Sequence, residues 1–259
     1  MAYIVAVVNN KGGVGKSTVT ANLGHALALR NQRVLIVDGD PQSNTSKIFC
    51  EGVSEFTMYD VLKGEIPQRC IYSTGYENID CLPNVPKTAT LELELYKNIA
   101  ESHLLLRRSL PPSLKDYDYC LIDCPPNMGL FVVQYLTLAH GVVVPIECRS
   151  RFAVEGLDAA LDHIEVLKET LNPNLCFLRL LVNKVDMRSS ADKQAVSLVR
   201  KQFGDDMVFD TTIPRNDDLF KKAEDNYRTI IRDSPTSSGA KRFRNLAEEF
   251  LAVCPGEKP

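Results

Sequence analysis

The sequence predicts an α/β fold, a mostly parallel, twisted sheet with helices on both faces. Three observations lead to this prediction. Short, continuous apolar runs recur along the chain, as expected of strands that are buried on both faces. Segments with the apolar spacing of helices separate these runs, which indicates parallel strands joined by crossover helices. Polar residues directly follow several of the runs, and ligands of such sheets bind at the carboxyl ends of the strands.

The apolar runs predict the strands. They cover, in chain order, Tyr3–Val8, Val34–Val37, Asn78–Leu82, Tyr119–Ile122, Gly141–Ile146, Cys176–Val182 and Val208–Ile213. Because no linker, internal repeat or low-complexity stretch interrupts the alternation with helices, we expect one domain over residues 1–259.

The helices are predicted from spacing and from residues that end a helix. The helix of residues 57–64 ends at a glycine, and the helix Thr88–Leu110 is stopped by Pro111 and Pro112. Residues 154–171 carry an apolar stripe with acidic residues on the other faces, as expected of a solvated outer face. The remaining predicted helices are Val19–Leu29, Ala191–Phe203 and Lys241–Val253.

Composition sets limits on the function. The hydrophobic content of 44% and the charged content of 24% are typical of a globular protein. The net charge is −3, so any nucleic-acid binding depends on a local basic patch. No apolar run reaches the roughly 18 residues of a membrane span, and the N-terminal apolar run is better explained as the first strand than as a signal peptide. The eight cysteines form no C-x-x-C pair, which favours buried free thiols in a reducing, cytoplasmic compartment over a metal site or disulfides.

The first strand leads into a glycine-rich segment, Asn10–Thr18 (NKGGVGKST), and a helix follows it. The glycines allow the backbone to curl and to point several N–H groups at an anion. The positive end of the following helix adds to this attraction. In such a loop Lys16 reaches the terminal phosphates of a nucleotide and the Ser17 hydroxyl binds Mg²⁺. The sequence therefore predicts a phosphate-binding loop, although Asn10 occupies the position of the first glycine of the standard motif.

Further polar residues are predicted to share the edge of the sheet with this loop. Asp38 and Asp40 follow the second strand, and Asp123 follows the apolar run of residues 120–122. Hydrolysis of a terminal phosphate needs an in-line water and a neutralised phosphate charge, and carboxylates at this edge suit both tasks. Asn183 and Pro214 also come directly after predicted strands, although each residue type is also common in simple turns.

Five segments together resemble the ParA, or Soj-like, branch of the ParA/MinD family of ATPases. The matching segments are residues 11–18 (KGGVGKST), 37–44 (VDGDPQSN), 121–126 (LIDCPP), 182–186 (VNKVD) and 213–216 (IPRN). The first is the deviant Walker A motif of that family. The resemblance covers almost the whole chain and implies a P-loop ATPase fold with ATP and Mg²⁺ as cofactors.

The resemblance also implies roles for individual residues. The implied catalytic residues are Lys11, Lys16 and Asp40, where Lys11 reaches the phosphates of a partner subunit and Asp40 positions the attacking water. Mg²⁺ is implied at Ser17, Asp38 and Asp123. The implied nucleotide-binding residues are Lys11, Gly12, Gly13, Val14, Gly15, Lys16, Ser17, Thr18, Asn183 and Pro214.

The family's activity is a switch. ATP joins two subunits into a homodimer, the dimer binds nonspecific DNA, and a ParB-like or adaptor protein triggers hydrolysis and release to position a cargo. The resemblance therefore implies a cytoplasmic, nucleoid-associated protein. The implied DNA-binding residues are Arg188, Lys193, Arg200, Lys201, Lys241 and Arg242, although a scattered solvated surface is an alternative for them. Asp217 and Asp218 depart from the family, because relatives often carry an arginine here and acidic residues repel phosphate.

Two alternatives remain open. A MinD-like ATPase positions itself on membranes, although the tail Val253–Pro259 is too short and polar for the basic amphipathic helix that this requires. An ATPase resembling the nitrogenase iron protein drives redox chemistry and needs cysteines that hold a cluster between subunits, whereas Cys124 has the wrong spacing. The stretch Glu147–Phe152 also departs from the family pattern.

Overall fold

The structure is a computed structural model that describes residues 1–50, 52, 54–147 and 152–254, with residues 152–159 described as backbone only. The departure at Glu147–Phe152 therefore lies mostly outside the described residues, and so does the tail from residue 255 onward.

The predicted fold class is confirmed by a sheet of seven strands with helices on both sides. The strands are β1 (Tyr3–Val7), β2 (Val34–Asp38), β3 (Tyr72–Ser73), β4 (Ile79–Leu82), β5 (Tyr119–Asp123), β6 (Gly141–Glu147) and β7 (Cys176–Asn183). The helices are α1 (Lys16–Ala28), α2 (Asn44–Phe49), α3 (Met58–Leu62), α4 (Leu91–Tyr96), α5 (Ile99–Ser102), α6 (Leu105–Ser109), α7 (Leu130–Leu138), α8 (Phe152–Thr170), α9 (Ser190–Phe203), α10 (Asp217–Asp225), α11 (Ile230–Asp233) and α12 (Ser238–Val253).

The strand order β3-β4-β2-β5-β1-β6-β7 places β1 and β5 at the centre of the sheet. All neighbours are parallel except β3 and β4, which are antiparallel. The carboxyl ends of the parallel strands therefore meet at one edge. Asp38 on β2 pairs with Asp123 on β5, and Glu147 on β6 pairs with Asn183 on β7.

Two apolar layers cover the sheet. Helices α3, α6, α7, α8 and α9 contribute buried residues to one layer. Helices α1, α2, α11 and α12 contribute to the layer on the opposite face. Among the described residues, no helix is both long and apolar enough to cross a membrane.

The long helix predicted for Thr88–Leu110 is instead a 3₁₀ turn followed by the short helices α4, α5 and α6. The chain leaves helical geometry at Asn98, where φ is −130°. The Ser102 hydroxyl then donates one hydrogen bond that is shared between the carbonyl oxygens of Leu95 and Asn98, both at 2.9 Å. Such side-chain bonds compete with a continuous helical ladder, which periodicity alone does not reveal.

The strand predicted for Val208–Ile213 is reduced to isolated bridges, from Val208 to Leu180 and from Pro214 to Val185. The N–H groups of Asp210 and Thr211 donate to the Glu249 carboxylate on α12 and not to a neighbouring strand. A side chain from a distant helix therefore takes the place of a strand partner at these two residues, while the N–H groups of Phe209 and Ile213 still donate to carbonyl oxygens of β7.

The prediction of buried free thiols is wrong for Cys176. It is exposed as the first residue of the edge strand β7, whereas Cys120 and Cys124 on and after the central strand β5 are fully buried. All seven cysteines of the described residues are free.

Candidate functional site

The glycine-rich loop connects β1 to α1 at the carboxyl edge of the sheet. Gly13 (φ 76°) and Gly15 (φ 93°) have left-handed backbones that favour glycine. A Cβ atom on Gly15 would lie 2.3 Å from Nδ2 of Asn183, so this position also lacks space for a side chain. At the start of the loop the Lys11 N–H donates to Oδ1 of Asn9 at 2.8 Å.

The end of β7 holds the loop from the side. Asn183 donates from Nδ2 to the Val14 carbonyl oxygen at 2.7 Å, and the Lys184 ammonium donates to the Gly13 carbonyl oxygen at 2.6 Å. The end of β7 thereby fixes the carbonyl oxygens of Gly13 and Val14 in place. Asn183, predicted beside the base of a nucleotide, is therefore also a support for the loop itself.

The two lysines of the loop have different surroundings. Lys16 is buried, with 7% of its surface exposed, and its ammonium donates to the Lys11 carbonyl oxygen at 3.1 Å. Burial lowers the pKa of Lys16, and the carboxylates of Asp123 and Asp40 oppose this shift. Lys11, in contrast, is exposed.

Asp38 has a fully buried carboxyl group whose two oxygens are both engaged. Oδ2 accepts from the N–H and the hydroxyl of Ser46, at 2.7 and 2.6 Å, and Oδ1 accepts from the Asp40 N–H at 3.2 Å. Burial, together with the charge of Asp123, raises the pKa of Asp38 to about 8. The hydrogen bonds of Asp38 fix the connection from β2 to α2.

Asp123 is also fully buried, but one of its oxygens is available. Oδ2 accepts from the Thr45 hydroxyl at 2.7 Å, whereas Oδ1 has no hydrogen-bond partner among the described residues. Burial raises its pKa to about 6, while the hydrogen bond from Thr45 and the nearby hydroxyl of Ser17 act in the opposite direction. A carboxylate oxygen next to a hydroxyl suits the hydrated shell of Mg²⁺, so Asp123 and Ser17 fit the predicted metal.

The turn from Asp38 to Asp40 is packed too closely for a side chain at Gly39. A Cβ atom there would lie 2.6 Å from both the Asp123 carbonyl oxygen and the Tyr135 ring. The Tyr135 hydroxyl donates to the Gly39 carbonyl oxygen at 3.0 Å, and Asp40 accepts from the Gln42 N–H at 2.9 Å. The carboxylate of Asp40 is thereby held at the edge of the site.

Two neighbouring cavities open at this edge. The larger, here called the loop cavity, has a volume of about 460 Å³ and is lined by Gly12, Gly13, Gly15, Lys16, Ser17, Thr18, Asp40, Pro126 and residues of α2 and α10. The second, here called the Asn183 cavity, has a volume of about 400 Å³ and is lined by Asn183, Pro214 and residues of α10. The structure thus brings most of the predicted nucleotide-binding residues together, while Lys11 and Val14 do not line either cavity.

Four further residues shape the site, and none of them was predicted from the sequence. Thr45 and Ser46 donate to the fully buried carboxylates of Asp123 and Asp38, the Tyr135 hydroxyl bonds to Gly39, and Glu224 of α10 lines both cavities. The 37–44 match ended just before Thr45, and only the fold brings the other side chains to this edge.

Arg200, one of the predicted DNA-binding residues, is engaged within the protein. Its guanidinium donates to the Phe209 carbonyl oxygen at 2.8 Å and pairs with Asp210 at 3.1 Å, and the side chain is only 21% exposed. Arg188 is 93% exposed and pairs with Asp186 through a 3.1 Å contact. Of these two arginines, only Arg188 offers an open surface to a phosphate.

The other predicted basic residues do not share one face of the subunit. Lys193 and Lys201 lie on α9, which packs on one side of the sheet, whereas Lys241 and Arg242 lie on α12, on the opposite side. Arg188 comes just before α9 in the chain, and the DNA-binding role of the whole set stays a prediction.

Asp217 and Asp218, the acidic residues that depart from the family pattern, have a local structural role. Both residues lie in the first turn of α10, where negative charge stabilises a helix. Asp217 also pairs with Arg215 at 2.9 Å.

Comparisons with known proteins match nearly the whole chain. A family model described as an AAA domain matches residues 2–177, which include the glycine-rich loop and all three aspartates. The chain is 38% identical over 255 residues to the sporulation initiation inhibitor protein Soj of Bacillus subtilis, covering 97% of this chain and 99% of Soj. It is 34% identical over 258 residues to the chromosome partitioning protein ParA of Caulobacter vibrioides, covering 96% of this chain and 94% of ParA.

A solved structure is similar over the same extent. Cobyrinic acid a,c-diamide synthase from Mycobacterium smegmatis, solved with a bound ATP analogue and magnesium, has a TM-score of 0.83 and is 29% identical. The similarity covers 97% of this chain and 95% of that one.

Proposed function

The chain belongs to the Soj and ParA family of partition ATPases, and on this premise we propose that it is an ATP-driven positioning switch. In this proposal residues 1–259 act as one ATPase domain. Two subunits join when ATP binds, the dimer binds nonspecific DNA in the cytoplasm, and a ParB-like or adaptor protein stimulates hydrolysis and release. A cargo such as a plasmid, a chromosome or a protein organelle is segregated or positioned by this cycle.

The observation that carries the proposal is the convergence of three groups on the loop cavity. Lys16 supplies a buried positive charge, Asp123 supplies an unpartnered carboxylate oxygen, and Asp40 lines the opening. A buried cation beside glycines with left-handed backbones is suited to phosphate, and the carboxylates are suited to a metal and a water.

The proposed roles follow from these contacts. The loop N–H groups and Lys16 hold the phosphates, Ser17 and Asp123 hold Mg²⁺, and Asp40 orients the attacking water. Mg²⁺ bound there supplies charge neutralisation for the phosphates. Asp38 acts on this site indirectly, because both of its oxygens fix the turn that carries Asp40.

The exposed position of Lys11 supports its proposed action on a second subunit. Its backbone is fixed by Asn9 and by Lys16, while its side chain is free to reach outward. Asn183 and Pro214 line the second cavity, which suits the adenine base.

DNA binding is proposed for the surface around Arg188, Lys193 and Lys201. Nonspecific binding needs several cations on one surface that displace counterions from phosphates. These residues lie on or just before α9, whereas Lys241 and Arg242 would need a different contact, for example one made by the second subunit.

The redox alternative is weakened by Cys124. Its side chain is fully buried beneath the site, and a cysteine that holds a cluster between two subunits has to lie at the surface.

The test is DNA retention by the Asp40→Ala protein with ATP, with ADP and without nucleotide, across a salt series. We expect retention with ATP alone, weakening steeply as salt rises. The Lys16→Ala protein is the matched control, because it should not bind ATP and should not be retained. If light scattering shows an ATP-dependent dimer that binds DNA at no salt concentration, the DNA-binding part of the proposal is wrong.

A further inference from the structure

The loop cavity and the Asn183 cavity meet at three residues, because Thr18, Phe220 and Glu224 line both of them. Among these three only Glu224 is charged. Its Oε1 accepts a hydrogen bond from the Thr18 hydroxyl at 3.2 Å, which ties α10 to the first turn of α1. The carboxylate is therefore held at the junction between the two cavities.

A nucleotide bound in the way that the proposed function requires would cross this junction. Its phosphates lie on the glycine-rich loop and its base lies beside Asn183 and Pro214, so the sugar between them has to pass Glu224. We propose that the Glu224 carboxylate accepts hydrogen bonds from the ribose hydroxyls and makes the site selective for ribonucleotides over 2′-deoxyribonucleotides. This inference rests on the proposed function, since it assumes that the phosphates and base occupy these cavities.

The chemistry of the groups favours the sugar over the other parts of a nucleotide. A carboxylate repels phosphate, and it accepts but does not donate hydrogen bonds at neutral pH. Two adjacent hydroxyl groups are donors that match its two oxygens. Hydrogen bonds to a charged acceptor are stronger than those between neutral groups, so the loss of one hydroxyl has a measurable effect.

The position of Glu224 on α10 agrees with such a role. The preceding Ala223 is buried, which anchors this part of the helix, while Glu224 itself is exposed to the cavities. The hydrogen bond with Thr18 keeps the carboxylate at the junction, and Thr18 belongs to the predicted phosphate-binding segment. A nucleotide therefore contacts both partners of this hydrogen bond.

The experiment compares the dissociation constants of ATP and 2′-deoxyATP, each with Mg²⁺, by calorimetry. We expect the wild-type protein to bind ATP about 10- to 100-fold more tightly than 2′-deoxyATP. In Glu224→Ala the ratio should fall to about 1, mainly because ATP binds more weakly. Glu224→Gln keeps one acceptor oxygen and a side chain of the same length, so an intermediate ratio of the two dissociation constants is expected.

The matched control is Asp218→Asn. Asp218 lies on the same helix, carries the same charge and lines neither cavity, so this variant should keep the wild-type ratio. Circular dichroism of all variants checks that the protein remains folded.

Three results would overturn the inference. The first is that the wild-type protein binds ATP and 2′-deoxyATP with equal affinity. The second is that both Glu224 variants keep the wild-type ratio of these two affinities. The third is that the Glu224 variants change the preference between ATP and ITP but keep the ratio for ATP and 2′-deoxyATP. The last result would assign Glu224 to the base. A wild-type protein that binds no nucleotide would instead contradict the proposed function, so the two failures are distinguishable.

Discussion

Asp38 and Asp123 stand opposite each other on the neighbouring strands β2 and β5, and both carboxyl groups are fully buried. They differ in their partners. Asp38 has both oxygens bonded to the chain, whereas Asp123 has an oxygen without a partner among the described residues. At these paired positions Asp38 therefore holds a turn, whereas Asp123 keeps an oxygen that is proposed to face the Mg²⁺ shell.

The first prediction concerns Asp123. Asp123→Asn removes the charge of the oxygen that is available for the Mg²⁺ shell, so the Mg²⁺ concentration needed for half-maximal ATP hydrolysis should rise about 10- to 100-fold. Magnesium titrations of the ATPase rate measure this shift. Asp116→Asn, on an exposed residue shortly before the start of β5, is the control and should keep the wild-type titration. Identical titrations for Asp123→Asn and the wild type would remove Asp123 from the metal site.

The second prediction concerns Lys11. Lys11→Ala should bind ATP with nearly wild-type affinity, because this exposed side chain does not line the loop cavity. It should fail to form the ATP-dependent dimer, since the proposed role is on the partner's phosphates. Light scattering with ATP and with ADP measures the dimer. A dimer formed as readily as in the wild type would contradict the cross-subunit role.

The third prediction concerns Asn183. Asn183→Ala removes the bond to the Val14 carbonyl oxygen and leaves that buried acceptor unpaired, so the free energy of unfolding should fall by about 1 to 3 kcal/mol. ATP affinity should fall as well, because the loop loses a lateral support. Lys184→Ala removes a bond to the Gly13 carbonyl oxygen at a more exposed position and should have the smaller effect on stability. Denaturant unfolding and calorimetry measure both quantities.

The contacts of these residues show which features of the structure could be predicted from the sequence. The glycine-rich loop and the aspartates after the strands were predictable, because motif residues sit at fixed positions relative to strand ends. Helix α7 was not predicted, since its nine residues are apolar almost all round and carry no helical period. The edge at Val208–Ile213 was predicted as a strand, because nothing local indicates that Glu249 of a distant helix takes its N–H groups. Contacts between residues far apart in the sequence determine these features.

The fourth prediction concerns His25, whose Nδ1 lies 2.7 Å from the Thr229 hydroxyl. Burial, followed by the positive charges of Arg232 and Arg244, lowers the pKa of His25 to about 4. The unfolded chain takes up the proton near pH 6.5, whereas the folded protein does so only near pH 4. The stability contributed by neutral His25 is therefore complete above about pH 6.5 and is lost as pH falls toward 4.

His25→Gln removes this titration. Its free energy of unfolding, relative to the wild type, should therefore rise by about 2 to 3 kcal/mol between pH 7 and pH 4. Denaturant unfolding at several pH values measures the difference and cancels the contributions of the aspartates. A constant difference across this range would show that His25 titrates alike in the folded and unfolded chain.

The fifth prediction separates the two arginines. Arg188→Glu should weaken DNA binding in the ATP state and reduce its salt dependence, because an exposed phosphate contact is lost. Arg200→Ala should mainly lower the free energy of unfolding, because its guanidinium is bonded to the Phe209 carbonyl oxygen and to Asp210. Salt-dependent DNA retention and denaturant unfolding distinguish the two effects. If Arg200→Ala lost DNA binding at wild-type stability, its internal bonds would have to open in the DNA-bound state. If Arg188→Glu bound DNA normally, the DNA surface would lie away from α9.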